Sequence, residues 1–290
     1  MSRISETDLI LNADGSVYHL SLLPEDIAET VITVGDPDRV EEVSKHFDRI
    51  ELKKSKREFV THTGTIGNKR ITVLSTGIGT DNIDIVLNEL DALVNIDLQT
   101  RSIKQNLRSL DIVRIGTSGA IQADVALDSL LVSTYAFGMD TLMHYYKQEV
   151  TLEKKRLLTD FQSVLPAGYS FSPYVAQANG YLIDELATGL QKGITISAPG
   201  FYAPQGRQVR AIQSAPRLME AIQNFNSGGH RITNLEMETA GIYGLAAVLG
   251  HRAISFNVIL ANRVTQQFSK KPQQIMETCI KQVLELLVRP

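Results

Sequence analysis

The feature that most constrains this chain is the alternation of short apolar runs, several leading into glycine, with amphipathic helical segments; no internal repeat is present. Residues 31–34 (Val-Ile-Thr-Val) run into Gly35-Asp36-Pro37. Such a run reads as a buried strand. Asp36 suits a helix cap and Pro37 the first helical position. Residues 70–75 run into Thr76-Gly77-Ile78-Gly79, ahead of a helical pattern over 82–94 with Ile83, Val86, Leu87 and Leu90 on one face. Residues 112–115 run into Gly116-Thr117-Ser118-Gly119. Strand patterns at 59–63, 129–135, 194–197 and 254–260 interleave with helical patterns at 181–190, 216–225, 237–249 and 272–288. Strands alternating with helices predict an α/β fold. The sheet is expected to be mixed, mostly parallel, central and flanked by helices. One domain over 1–290 is expected, with an N-terminal hairpin at about 9–20 on its Asp14-Gly15 turn. The stretches 97–110 and 139–180 are poorly patterned; the first reads as a surface excursion.

Composition removes several function classes. With 290 residues, 43% hydrophobic and 21% charged, the chain is neither disordered nor fibrous. The formal net charge is -3 and no basic stripe is present, so no nucleic-acid partner is expected. A single cysteine, Cys279, leaves no intrachain disulfide and suits a reducing compartment. The polar N-terminus and the lack of a long apolar run predict a cytoplasmic chain without a membrane partner. No metal motif occurs among the 6 histidines. Gly77-Ile78-Gly79-Thr80-Asp81-Asn82 partly imitates a dinucleotide fingerprint, but Asn82 stands where the third glycine belongs. No nicotinamide cofactor is expected.

Three segments suit an anion. At Gly35 a strand meets a helix N-terminus, with Arg39 on the first turn. Alone, this is better read as a tight turn with a capped helix and a surface arginine. Arg114 lies inside an apolar run, where an unpaired charge is costly, and Thr117, Ser118 and Gly119 follow. It needs either an anionic ligand or a buried carboxylate. Arg57, in Lys56-Arg57-Glu58-Phe59, reads by itself as a surface charge. Glu236-Met237-Glu238 precedes an apolar helix; its carboxylates suit either hydroxyl groups of a ligand or the helix dipole. Phe201-Tyr202-Ala203-Pro204-Gln205-Gly206-Arg207 places aromatic faces beside an amide and a guanidinium, a set that fits a flat heterocycle or an ordinary loop.

Taken in order, Gly35-Asp36-Pro37-Asp38-Arg39, Arg57-Glu58-Phe59, residues 75–79, residues 114–122 and Glu236-Met237-Glu238 resemble the nucleoside phosphorylase family. Phe201, Gln205 and Arg207, with Asn262-Arg263 and Thr265-Gln266-Gln267, are similar to its uridine branch. The resemblance implies reversible phosphorolysis of uridine, with inorganic phosphate as co-substrate and no other cofactor. It implies that Gly35, Arg39, Arg57, Arg114 and Thr117 bind phosphate. It implies that His19, Ser118, Gly119, Phe201, Gln205, Arg207, Glu236, Met237 and Glu238 bind the nucleoside. Catalysis is then expected from Arg114, Thr117, Gln205, Arg207 and Glu238. Relatives lend the residues matching His19 and Arg57 to a neighbouring subunit, which implies a homodimer or a hexamer built as a trimer of dimers. Some relatives hold potassium near Glu58, Ile78 and Asn82, with serine in place of Asn82, so no metal is expected here. The alternatives are another nucleoside phosphorylase or nucleosidase of the family, or a nucleoside-binding protein without turnover.

Overall fold

All five residues of strand β1 (Thr30–Val34) are buried, as befits a strand covered on both faces. The computed structural model describes residues 3–166, 169 and 171–289. Positions 167, 168 and 170 of the poorly patterned stretch, and 1, 2 and 290 of the expected domain, lie outside the described residues. After β1 come α1 (Pro37–Ser44), β2 (Arg49–Lys56), β3 (Phe59–Ile66), β4 (Lys69–Ser75) and α2 (Thr80–Asn95). A small pair, β5 (Ile96–Asp97) and β6 (Ser102–Ile103), precedes β7 (Asp111–Ala120) and β8 (Leu130–Gly138). Then follow α3 (Leu152–Val164), β9 (Tyr174–Gln177), α4 (Gly180–Leu186), β10 (Gln191–Ser197), α5 (Leu218–Asn224) and β11 (Asn226–Ser227). The chain continues through β12 (His230–Glu236), α6 (Thr239–Leu249), β13 (Arg252–Asn262), β14 (Gln267–Phe268) and α7 (Pro272–Val288).

One mixed sheet runs in the order β11-β12-β10-β8-β13-β7-β1-β4-β3-β2. Pairing is parallel for β1 with β4 and β7, for β7 with β13, and for β10 with β8 and β12. It is antiparallel for β8 with β13 and through β2, β3 and β4. The sheet also meets itself. Asn234 and Leu235 of β12 pair antiparallel with Ala120 and Gly119 of β7. Strands β7, β13, β8, β10 and β12 therefore form a small closed ring, which bends both strand ends toward one place.

Apolar helix faces cover the sheet. Ile83, Val86, Leu87 and Leu90 of α2 share a core with Ile242 and Leu245 of α6. Val40, Val43 and Leu182 share another with Met276, Ile280 and Val283 of α7. Leu157 and Phe161 give α3 a buried stripe against Phe137, with the Phe137 and Phe161 rings stacked at 4.3 Å. Strand β2 is the sheet's charged edge; Arg49, Glu51 and Lys53 are exposed, which discourages pairing with other strands. In the expected N-terminal hairpin, Leu11 and Val17 make a single antiparallel bridge. The polar excursion at 97–110 is clamped by Asn95, whose side chain donates to the Arg108 carbonyl at 3.1 Å and accepts its N–H at 2.7 Å.

Candidate active site

The strand ends and the ring closure surround a cavity of about 730 Å³. Gly35 and Arg39 form one wall, and Thr117, Ser118 and Gly119 of β7 the floor. Glu236, Met237 and Glu238 enter between β12 and α6, and Phe201, Gln205 and Arg207 close the far end. One local expectation needs correction: the sequence pattern ends this strand at Gly116-Thr117-Ser118-Gly119, whereas β7 runs on to Ala120. Parallel pairing with β13 carries the strand through these residues. Pairing with β1 stops at Arg114, and pairing with β12 begins at Gly119. Between them β7 has one edge free of a partner strand, and Gly116, Thr117 and Ser118 line the cavity there.

The anion end grows out of α1. The Asp36 side chain accepts the Asp38 N–H at 3.1 Å and Pro37 sits in the first turn, so the helix begins at the cavity wall. Arg39 Nε is buried without a hydrogen-bond partner among the described residues, and its nearest carboxylate, Glu42, stands 4.0 Å off. Burial pulls the Arg39 pKa below the ordinary arginine value. A guanidinium so weakly paired is suited to an incoming anion. Arg114 differs. Its Nη2 lies 2.6 Å from Glu238 Oε2 and 3.1 Å from Glu236 Oε2. Burial opposes its charge, but the two carboxylates outweigh burial and raise its pKa. The buried carboxylate and the cavity wall, alternatives in the sequence, are thus both present.

The two glutamates divide their tasks. Glu236 takes the N–H groups of Glu238 and Thr239 and the Ser197 hydroxyl, so it caps α6. Glu238 accepts the Gly79 N–H at 2.8 Å through Oε1 and Arg114 through Oε2. Burial pushes the Glu238 carboxyl above its ordinary range; Arg114 opposes that and Glu236 adds to it. Glu238 is the carboxylate left to meet a ligand.

At the far end Arg207 stacks its guanidinium 3.7 Å from the Phe201 ring centroid. Its Nη1 donates to Gln205 Oε1 at 2.6 Å and to the Phe201 carbonyl at 2.7 Å. Gln205 is buried and Phe201 half-exposed. Arg263 was not singled out as a site residue by sequence reasoning, yet it braces this loop, donating to the carbonyls of Gln205 and Gly206. Its place in the Asn262-Arg263 motif, just past the end of β13, is the available signal. Phe268, Glu58 and Asn82 also line the cavity without having been expected there. Asn82 Nδ2 donates to Glu58 Oε1 at 3.3 Å.

Two expected residues stay outside the single-chain cavity. His19 Nδ1 sits 2.6 Å from Glu89 Oε1, and Glu89 also accepts the N–H groups of His19 and Leu20. Arg57 is exposed in the turn between β2 and β3 with φ 56°. Among the described residues, no group of three or more His, Cys, Asp or Glu side chains is placed to hold a metal ion. No helix among them is long and apolar enough to cross a membrane.

Comparison with known proteins agrees with this geometry. A uridine phosphorylase of Thermococcus kodakarensis is 28% identical over 274 residues, spanning 94% of this chain and 87% of that protein. One from Haemophilus influenzae is 29% identical over 280 residues, spanning 94% of each. A Trypanosoma brucei nucleoside phosphorylase whose structure is described as showing uridine phosphorylase activity superposes with a TM-score of 0.88. It is 30% identical, covering 97% of this chain and 99% of that one. The family model described as the phosphorylase superfamily matches residues 29–289, which include every cavity-lining residue named above. On the fold, the cavity and these matches together, the chain belongs to the phosphorylase superfamily.

Proposed function

We propose that this chain catalyses the reversible phosphorolysis of uridine to uracil and ribose 1-phosphate. The observation that carries the reading is the set of groups sharing one cavity: Arg39 and Arg114, the Glu238 carboxylate beside Arg114, and the hydrogen-bonded Gln205–Arg207 pair. That set matches a substrate made of phosphate, sugar and a polar heterocycle.

In this reading the Gly35 N–H, Arg39, Arg114 and Thr117 hold phosphate below the sugar. Glu238 accepts from the ribose hydroxyls, and Met237 packs on the ring. A phosphate oxygen forms the new bond to C1′ as the bond from C1′ to the base nitrogen breaks. The bonding pair leaves with the base, which is later protonated on that nitrogen. Arg207 and Gln205 donate toward the uracil oxygens and gain strength as charge reaches them, so they favour the transition state. Ser118, Gly119, Phe201 and Glu236 complete the nucleoside wall. The step requires no cofactor beyond phosphate.

His19 and Arg57 are assigned to the site of a partner subunit. Their positions outside the single-chain cavity, and the exposure of Arg57, support that assignment. The assembly is then a homodimer or a trimer of such dimers. We also assign the chain to the cytoplasm, a reading that its lone cysteine, unable to form an intrachain disulfide, suits.

The test is uracil release from uridine with and without phosphate. Release is expected only with phosphate, and Arg114→Ala should lower turnover by roughly 10²–10³. Steady release in phosphate-free buffer would overturn phosphorolysis in favour of hydrolysis.

A further inference from the structure

The interior of the closed ring is polar. Ser133, Thr195, Asn234 and Asn257 are each 0% exposed, and they form one unbroken series of hydrogen bonds. Arg114 Nη1 donates to Asn257 Oδ1 at 3.3 Å, and Asn257 Nδ2 donates to Ser133 Oγ at 2.8 Å. The Ser133 and Thr195 hydroxyls are 2.5 Å apart. Thr195 Oγ1 donates to Asn234 Oδ1 at 3.0 Å, and Asn234 Nδ2 donates to Ser118 Oγ at 3.0 Å.

Two chemical facts orient the links. A guanidinium donates and never accepts, and a buried hydroxyl proton needs an acceptor. Asn257 must therefore turn its oxygen to Arg114 and its NH₂ to Ser133. Ser133 is fully buried and Thr195 is its other side-chain partner among the described residues, so its proton goes to Thr195. Thr195, equally buried, accepts that bond and passes its own proton to Asn234. The Asn234 oxygen is then occupied, also by Thr233 at 2.9 Å, and its NH₂ is left for Ser118. The series is one-way. It begins on a cation and ends on a hydroxyl in the cavity wall. Ser118 is an acceptor toward Asn234, and its own proton has no acceptor among the described residues.

We propose that this buried series fixes the Ser118 hydroxyl as a donor aimed into the cavity, where it binds a substrate oxygen that carries or gains negative charge. Ser118 is then the group that touches substrate, while Asn234, Thr195, Ser133 and Asn257 are positioning residues. An ordinary serine hydroxyl rotates to serve either role. A hydroxyl held as donor needs no reorganisation when charge develops, and bonds aligned from a cation polarise one another. With one lone pair already taken by Asn234, such a group offers its proton to an acceptor oxygen on the ligand. That oxygen belongs to phosphate or to the nucleoside. The named substrate rests on the uridine reading; the direction of the hydroxyl does not.

Neutron diffraction on the deuterated wild-type protein tests the direction without any variant. A deuteron on the cavity side of Ser118 Oγ is expected. A deuteron on the line from Ser118 to Asn234 overturns the proposal. Kinetics supply the second arm. Asn234→Asp exchanges a donor for an acceptor and draws the Ser118 proton back. It should lower kcat/KM roughly tenfold, as should Ser118→Ala. The double variant should lose no more than either single one, because both remove the same bond. Losses that multiply, or a silent Ser118→Ala, overturn the proposal. A raised KM for phosphate places the accepting oxygen on phosphate; a raised KM for uridine places it on the nucleoside. A wild-type protein inactive on uridine overturns the substrate reading, and the neutron result still decides the hydroxyl.

Discussion

A Cβ on Gly116 would stand 1.7 Å from Nη1 of Arg114. The guanidinium fills the place where a side chain at 116 would go, lying back along its own strand to reach Glu238. Gly116 is therefore the residue that lets a strand arginine turn into the site.

Gly116→Ala should displace Arg114 from its two carboxylates and leave buried charge poorly paired. The expected loss of stability is about 1–3 kcal/mol, the range for overpacking a filled site. Phosphate KM should rise with it. Thermal unfolding and phosphate titration on one preparation check both effects. A variant with normal phosphate KM would show that Arg114 does not serve phosphate.

Mixing two inactive proteins tests the shared site. Arg57→Ala and Arg114→Ala chains should each be inactive. After subunit exchange, a hybrid dimer has one intact site and one doubly damaged site. Partial recovery of uracil release is expected. No recovery after demonstrated exchange would place the whole site within one chain.

Acidity should expose the glutamate pair. Burial raises the Glu238 carboxyl, and Glu236 adds to that. If Glu238 serves the ribose hydroxyls as a carboxylate, the acid limb of kcat/KM should lie above the ordinary glutamate range. Glu236→Gln removes the neighbouring negative charge and should move that limb to lower pH. For stability the sign is opposite: with the folded value above the unfolded one, this group favours folding at low pH. That contribution fades as pH climbs through the folded value. An unmoved limb in Glu236→Gln would assign it to another group.

Base choice should follow Gln205. If Gln205 and Arg207 read the uracil edge, Gln205→Ala should reduce kcat/KM for uridine sharply while phosphate affinity holds. Wild type should prefer uridine to inosine, because a site built on polar pairs penalises a ligand that leaves them unmet. Parallel losses for both nucleosides would make the loop a mere cover.

Much of this was legible in the chain itself. The units that run into Gly35, Gly77 and Gly116 announce strands that lead to the cavity, although β7 continues past Gly116, and periodicity alone places α2 and α7. What escaped did so for physical reasons. Strand β2 is a charged edge, so alternation of apolar residues never marks it. Helix α3 buries chiefly Leu157 and Phe161, too narrow a stripe to stand out. Arg263 stands in the Asn262-Arg263 motif, but its bracing role runs through the backbone carbonyls of Gln205 and Gly206, which a motif does not name. The series inside the ring joins residues from β7, β8, β10, β12 and β13, far apart in the chain; the sheet order makes them neighbours, and the closure supplies the last link, Asn234 to Ser118.

That closure also sets when the site comes into being. Arg114 and Glu238 are separated by 124 positions, and the β7–β12 pairing that brings their strands together spans a similar length of chain. During synthesis Arg114 emerges long before any carboxylate is available to it, so its strand cannot bury a paired charge until most of the chain has appeared. Pairing at such long range is slow to nucleate. The ion pair that holds the cavity wall together is among the last contacts available to the folding chain. An interrupted chain that stops before β12 therefore has no half-built catalytic pocket to offer substrate.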